Sequence, residues 1–246
     1  MTLSYPRLVP GTLLRRYKRF LADVRLDDGR EVVAHCPNTG SMKAVNVPGC
    51  RVWLSPSDNP KRKLAWTWEF IELPQTDGLT ALASVHTGRA NRIVEGALEA
   101  GTLAPLAGYA TLRREVKVTD ARLDFMLDDP ERGRAYIEVK QVTLKEQDGH
   151  GYFPDSVSVR GTKHLHSLQT LAEQGERAVL LFCVAHEGID DVAAAAHIDA
   201  TYAAALAEAA ASGVEVLAYG IAVAREQGRP TGVGLTRHLP VRLLAG

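Results

Sequence analysis

Residues 122–141, RLDFMLDDPERGRAYIEVKQ, constrain the fold more than any other stretch of the chain. Two apolar runs, 123–127 and 135–142, flank a polar segment holding Asp128, Asp129, Pro130 and Gly133, the composition of a hairpin connection. The spacing predicts strand, turn, strand. In the second strand Tyr136, Glu138 and Lys140 alternate with Ala135, Ile137 and Val139, and strand side chains change face at every residue. Glu138 and Lys140 therefore point the same way. Pairing residue 128 with 134 makes paired numbers sum to 262, sets Asp124 opposite Glu138 and leaves a loop of about five residues. An even sum keeps Asp124 on that face, and an odd one removes it.

Two carboxylates and an ammonium on one sheet face suit a hard divalent cation. Magnesium binds through one or two carboxylates and leaves its other positions to water and substrate phosphate. Asp124 and Glu138 are the candidate metal ligands, with magnesium or manganese the expected cofactor. Lys140 is the candidate to orient an attacking water or to offset charge on a phosphate. The same trio also suits a plainer role, as solvated charges on the polar face of a half-exposed hairpin.

The surroundings bear on that choice. Residues 160–174 have leucines in a helical stripe, 178–184 are a continuous apolar strand, 200–211 an alanine-rich helix, and 214–219 a closing strand. Strands alternating with helices predict a mixed sheet covered by helices, which puts Asp124, Glu138 and Lys140 on a covered or cleft-lining face. Charges there are costly without partners or a metal. Residues 87–100 are a further predicted helix, and 110–118 a strand carrying Arg113, Arg114 and Lys117. Arg160, Lys163 and His164 stand at the start of a helix, where phosphate binds readily.

Residues 1–84 have another character. Five short strand candidates, with turns at Asp27–Gly29, VPG and SPSDNP and no helical periodicity, predict a small β-barrel, of which the five-stranded OB kind is one member. The remainder, 85–246, is the α/β domain. RRYKRF sets Arg16 and Lys18 around Tyr17 and Phe20, and NPKRKLAWTW sets Lys61 and Arg62 near Trp66 and Trp68. Basic groups that track phosphates beside aromatic faces that stack bases are the equipment of single-strand binders. For the two tryptophans the core is the favoured position.

The 246 residues carry a formal net charge of +0, so affinity for nucleic acid has to come from local basic patches. No stretch reaches the 18 or so apolar residues that span a bilayer, and a cytoplasmic protein without membrane contact is expected. Cys36, Cys50 and Cys183 lack the pairing of a zinc site or a disulfide framework.

RYKRFLADV at 16–24, HCPNTGSM at 35–42, NPKRKLAWTWE at 59–69, LDFML at 123–127, YIEVKQVTL at 136–144 and GYFPDSVSVRGTKHL at 151–165 together resemble the sugar fermentation stimulation protein A family. The resemblance implies an OB-like N-terminal domain and a C-terminal domain of the restriction-endonuclease-like PD-(D/E)XK fold. It also implies non-specific DNA binding, historically linked to regulation of sugar (maltose) metabolism genes. Carried over by position, the signature acid is Asp124 and the E-x-K element is Glu138 to Lys140. A further acid on the first helix falls at Glu95, or, in an alternative register, Gly96 occupies the position where relatives carry that acid. Where the family carries an acid before Arg-Gly, this chain has Val159. The expected DNA contacts are Arg16, Lys18, Lys61, Arg62, Arg114, Arg160 and Lys163, on single or double strands, with a magnesium-dependent phosphodiesterase as the alternative activity. A homodimer stays open.

Overall fold

The computed structural model describes residues 3–118 and 121–243. Its first strand, β1 (Leu3–Ser4), joins the edge of the second domain's large sheet, and the barrel begins with β2 (Val9–Tyr17). β3 (Leu21–Leu26), β4 (Glu31–His35), β5 (Arg51–Pro56) and β6 (Trp66–Pro74) follow, and β7 (Thr80–Ser84) is added to the outer edge of β6. β4–β3–β2–β5–β6 run in that order, and a parallel pairing of β4 with β6 at Ala34↔Trp66 closes the ring. This is a closed five-stranded OB-like barrel.

The run of strand formers at 12–26, with no turn signal before Asp27, predicts one strand, and the chain makes two. Lys18 and Arg19 take left-handed backbone (φ 48° and 66°) and turn β2 into β3. That turn contains no Gly, Pro, Asn or Asp to announce it. Trp68 is fully buried in the barrel core with Leu13, Val24, Leu54 and Ile71, and Trp66 packs at its margin, in line with the expected positions.

The second domain is built on a mixed seven-stranded sheet. After α1 (Thr87–Glu99) come β8 (Thr111–Lys117), β9 (Arg122–Asp129), β10 (Gly133–Val142), β11 (Leu144–Lys145) and β12 (Gly151–Phe153). Then follow α2 (Val159–Glu173), β13 (Arg177–Val184), β14 (Val192–Ala194), α3 (Ala200–Ala211), β15 (Glu215–Glu226), β16 (Arg229–Leu239) and β17 (Val241–Arg242). The large sheet runs β1–β16–β15–β13–β10–β9–β8, with β10, β13 and β15 parallel. β11, β12, β14 and β17 make a small separate sheet. The closing strand expected at 214–219 is longer, and it turns at Gln227 and Gly228 into β16, which the sequence reading does not anticipate.

Helices cover both faces of the large sheet. On one side Ile93, Val94 and Ala97 of α1 pack on Phe125, Ile137, Val139 and Leu181, together with Phe70 and Leu82 from the barrel. On the other, Leu165 and Leu168 of α2 and Tyr202 and Leu206 of α3 pack on Tyr136, Leu180 and Phe182. Cys183 lies in the core, where burial pushes its thiol up to about 12.

Domain contacts tie the two halves closely. Fully buried Glu69 of β6 accepts from Arg89 of α1 through both oxygens, at 2.7 and 3.1 Å, and from the Ser55 hydroxyl at 2.8 Å. Leu3 and Ser4 of β1 pair with Val233 and Gly232 of β16, so the segment 1–84 is not a self-contained unit.

Candidate functional site

β9 and β10 pair in the register expected from the sequence, Asp128↔Arg134 through Phe125↔Ile137, summing to 262. Asp129 also pairs with Gly133, whose φ of +73° closes the turn, so the loop is the three residues 130–132 rather than five. Beyond Ile137 the ladder stops. The next free amide, Val139 N–H, donates instead to Oδ2 of Asp124 at 2.8 Å. Oδ1 of Asp124 accepts from Asn91 Nδ2 of α1 at 2.7 Å. A carboxylate thus stands in for a missing strand partner and locks the divided end of the hairpin to a helix.

Alternation in β9 breaks at this point. Leu123 joins the core on the α2 side, whereas Phe125 and Leu127 join the one on the α1 side. Asp124 is accordingly held by α1 and does not stand in simple file with Glu138 and Lys140, although it remains within their field. Burial first, and then the charge of Glu138, raise the pKa of Asp124 against the opposing effects of Val139 N–H, Asn91 and Lys140.

Glu138 is 3% exposed and lies on the α2 side of β10. Its Oε1 receives Lys140 Nζ at 2.7 Å and the Nδ1 of His164, itself 6% exposed. Burial alone would push Glu138 up, but the hydrogen bonds and charges of His164 and Lys140 outweigh it and hold this carboxyl below the usual value. Oε2 of Glu138 is buried and has no partner among the described residues. The hydroxyl of Tyr202, also buried and without a partner among the described residues, lies within the field of Glu138, and burial and that charge raise its pKa.

Two carboxylates, one with an unused buried oxygen, are a fitting donor set for a magnesium-like ion that keeps water in its remaining positions. Among the described residues, no group of three or more His, Cys, Asp or Glu side chains gathers into a metal-holding cluster.

Beside this trio opens a cleft of about 330 Å³ between the barrel and the sheet domain. Asn38, Thr39 and Gly40 form its barrel wall, and Asn91, Lys140 and Tyr152 line the opposite side. Asp155 joins the two walls, accepting from Met42 N–H at 3.0 Å and, through its carbonyl, from the Ser41 hydroxyl at 2.9 Å.

The other sequence candidates fall in four places. Arg16 is half-buried and donates to the carbonyls of Arg19, Asn38 and Gly40 at 2.7–3.0 Å, which makes it a brace for the cleft wall rather than an open phosphate contact. Lys18 is exposed at the β2–β3 tip, and exposed Lys61 and Arg62 lie in the β5–β6 connection, where Arg62 reaches Thr67 Oγ1 at 3.0 Å. Arg114, on edge strand β8, pairs with Glu95 at 3.3 Å. Glu95 is therefore one turn further along α1 than the residue that meets Asp124, and Asn91 holds the position expected of it. Arg160 and Lys163 are exposed in the first turns of α2, and Arg160 Nε reaches His164 Nε2 at 3.4 Å. Val159 opens the same helix, 80% exposed.

Sequence reasoning missed Asn91, the role of His164 and the presence of Tyr202. Only the Arg160-to-His164 spacing, i to i+4 on a helix, carried a readable signal.

The family model described as "SfsA N-terminal OB domain" matches residues 14–79, and that described as "Sugar fermentation stimulation protein RE domain" matches 88–227. A sugar fermentation stimulation protein homolog of Chromohalobacter salexigens is 64% identical over 98% of this chain and 95% of its own. One from Shewanella pealeana is 49% identical over 97% and 98%. The solved structure of Pyrococcus furiosus SfsA in complex with Ca2+ superposes with a TM-score of 0.84 at 27% identity, covering 98% of this chain and 99% of that one. Among the described residues no helix is long and apolar enough to cross a membrane.

Proposed function

Because the chain belongs to the sugar fermentation stimulation protein family, we propose that it binds DNA non-specifically and carries a divalent-cation site at Asp124 and Glu138. One observation carries the binding reading. Tyr17, Leu21, His35 and Trp66 mark a single end of the barrel, where β2–β3 and β5–β6 are connected. In OB folds the connections between strands 1 and 2 and between strands 4 and 5 contact oligonucleotides. Here they carry Lys18, Lys61 and Arg62, and from the same end residues 38–40 run into the cleft lined by Lys140. Phosphates can thus be followed from the barrel toward the carboxylates, where Arg160 at the start of α2 reaches His164 beside Glu138. The family's name extends the reading to DNA of sugar metabolism genes.

The cation reading rests on the unpartnered oxygen of Glu138 and is supported by the Ca2+ complex of the Pyrococcus furiosus relative. Magnesium or manganese held by Asp124 and Glu138 would supply Lewis-acid polarisation of a phosphoryl oxygen and a bound water of lowered pKa. This chain's own residues do the rest. Asn91 and Val139 N–H orient Asp124, His164 orients Glu138, and Lys140 brings an ammonium to the cleft wall where charge would develop on a phosphate. That position of Lys140 favours a second reading, a PD-(D/E)XK-type phosphodiesterase.

Calorimetric titration with magnesium and manganese, comparing the parent with Asp124→Asn and Glu138→Gln, tests the site, and labelled single- and double-stranded DNA on the same samples tests the partner. Binding of DNA that weakens steeply with salt, with little sequence preference, is expected. Metal binding lost in both variants, with metal-dependent cleavage by the parent, establishes the phosphodiesterase. Salt-sensitive retention without metal binding leaves a DNA-binding protein and removes the cation site. DNA retention that is insensitive to salt removes the binding reading.

A further inference from the structure

We propose that His164 is a positioning residue for Glu138 and that Arg160 fixes the ring of His164, a proposal that rests on the cation reading above. Oε1 of Glu138 is occupied twice, by His164 Nδ1 and by Lys140 Nζ at 2.7 Å, while Oε2 is free of partners among the described residues. Two donors on one oxygen fix the carboxylate's rotation and leave the other oxygen to a cation. Partners that orient a ligand in this way govern metal affinity nearly as strongly as the ligands do.

The imidazole is suited to this task by what surrounds it. An arginine Nε is an obligatory donor, so the contact of Arg160 Nε with His164 Nε2 at 3.4 Å makes that nitrogen the acceptor. Oε1 of Glu138 only accepts, so Nδ1 carries the ring proton and donates to it, while Lys140 Nζ, 3.4 Å from the same Nδ1, is held by Oε1 rather than by the ring. Backbone packing sets the depth of the ring. A Cβ on Gly161 would stand 2.6 Å from Ser158 Oγ and 3.1 Å from the Tyr202 ring, so only glycine lets the first turn of α2 lie this close to α3. Ser158 caps α2 at Gly161 N–H, and Asp199, which caps α3 at Tyr202 N–H, also accepts from Ser158 N–H. Two helix starts are pinned to one carboxylate, and His164 projects from that fixed corner onto Glu138. Lys140, a flexible ammonium on a four-carbon stem, does not supply the same constraint.

The test is calorimetric titration of the full chain with magnesium and with manganese, using His164→Leu, His164→Gln, His164→Asn and Arg160→Gln. Unfolding midpoints in chelator report whether each variant folds. Asparagine offers an N–H where Nδ1 donates, and glutamine offers one where Nε2 stands. Leucine and glutamine are expected to weaken cation affinity about 10–100-fold, asparagine to restore it to within about threefold, and Arg160→Gln to fall between. Parent-like affinity in His164→Leu, or asparagine no better than glutamine, overturns the role of His164 alone. A parent that binds neither cation overturns this inference together with the reading beneath it. Should His164→Leu not fold, exposed Arg160 decides the matter, and unchanged affinity in Arg160→Gln overturns the proposal.

Discussion

Glu69 and Glu138 are both buried glutamates facing a cation from another position, yet the protein treats them differently. Glu69 has each oxygen paired, by Arg89 and Ser55, at the seam between barrel and α1. Glu138 has one oxygen held twice and the other, among the described residues, not at all. A carboxylate whose bonding is complete stabilises the fold around it. One whose bonding is left incomplete in a dry place costs stability and is retained where something else supplies the missing partner. The same contrast separates the domain seam, which is finished, from the cleft beside Lys140, which is not.

The largest expected effect is at the seam. Glu69→Gln or Arg89→Met should lower unfolding free energy by about 3–5 kcal/mol in urea titration, because each strands a buried charge or its partner, while Glu69→Leu with Arg89→Met should recover most of the loss. A single variant costing under about 1 kcal/mol would break the comparison, since Glu69 would then not be a structural carboxylate.

Glu138→Gln should cost less, about 1–2 kcal/mol at neutral pH without metal, through weakened charge-assisted bonds to Lys140 and His164. The sign of its pH dependence sharpens the contrast. A carboxyl held below its ordinary value of 4.5 contributes stability above that pH and loses it as pH falls through the lowered value. The gap between parent and variant should therefore narrow below about pH 4.5 in urea titrations.

Asp124→Asn should move the other way. Its pKa is raised above the ordinary 3.8, so the stability it contributes is present below that value and is lost as pH rises through the folded one. Without added cation, Asp124→Asn should thus show a modestly higher urea midpoint than the parent at neutral pH. An unchanged or lower midpoint would say that the Asn91 and Val139 bonds outweigh burial.

The smallest effect is expected on the open barrel surface. Arg25 and Glu31 pair at 3.0 Å with both side chains more than half exposed, and Arg25→Ala should leave the midpoint unchanged within error.

What was legible in the sequence follows from how far each constraint reaches along the chain. Period-two alternation and turn chemistry act within a few residues, and they placed Asp124, Glu138 and Lys140 on adjacent strands in the right register. Helices α1, α2 and α3 were similarly readable from local periodicity. The β2–β3 turn was not, because two basic residues in left-handed conformation make it with none of the usual turn residues. Asn91 was missed in favour of Glu95 because the choice depends on which turn of α1 passes over the end of β9, a tertiary fact. Arg89 and Glu69 were unreadable for the same reason. Their meeting is set by how a barrel strand docks on a helix from the other domain.

One consequence lies in the order of synthesis. Leu3 of β1 finds its partner at Val233, close to the other end of the described chain. Barrel strands β2 to β6 have all their ring partners within the first third of the chain and can close while later residues are still being made. The two residues that lead the barrel cannot dock until β16 exists. β1, which precedes the barrel in the chain, is thus among the last strands to settle, and its docking reports that the far edge of the large sheet has formed.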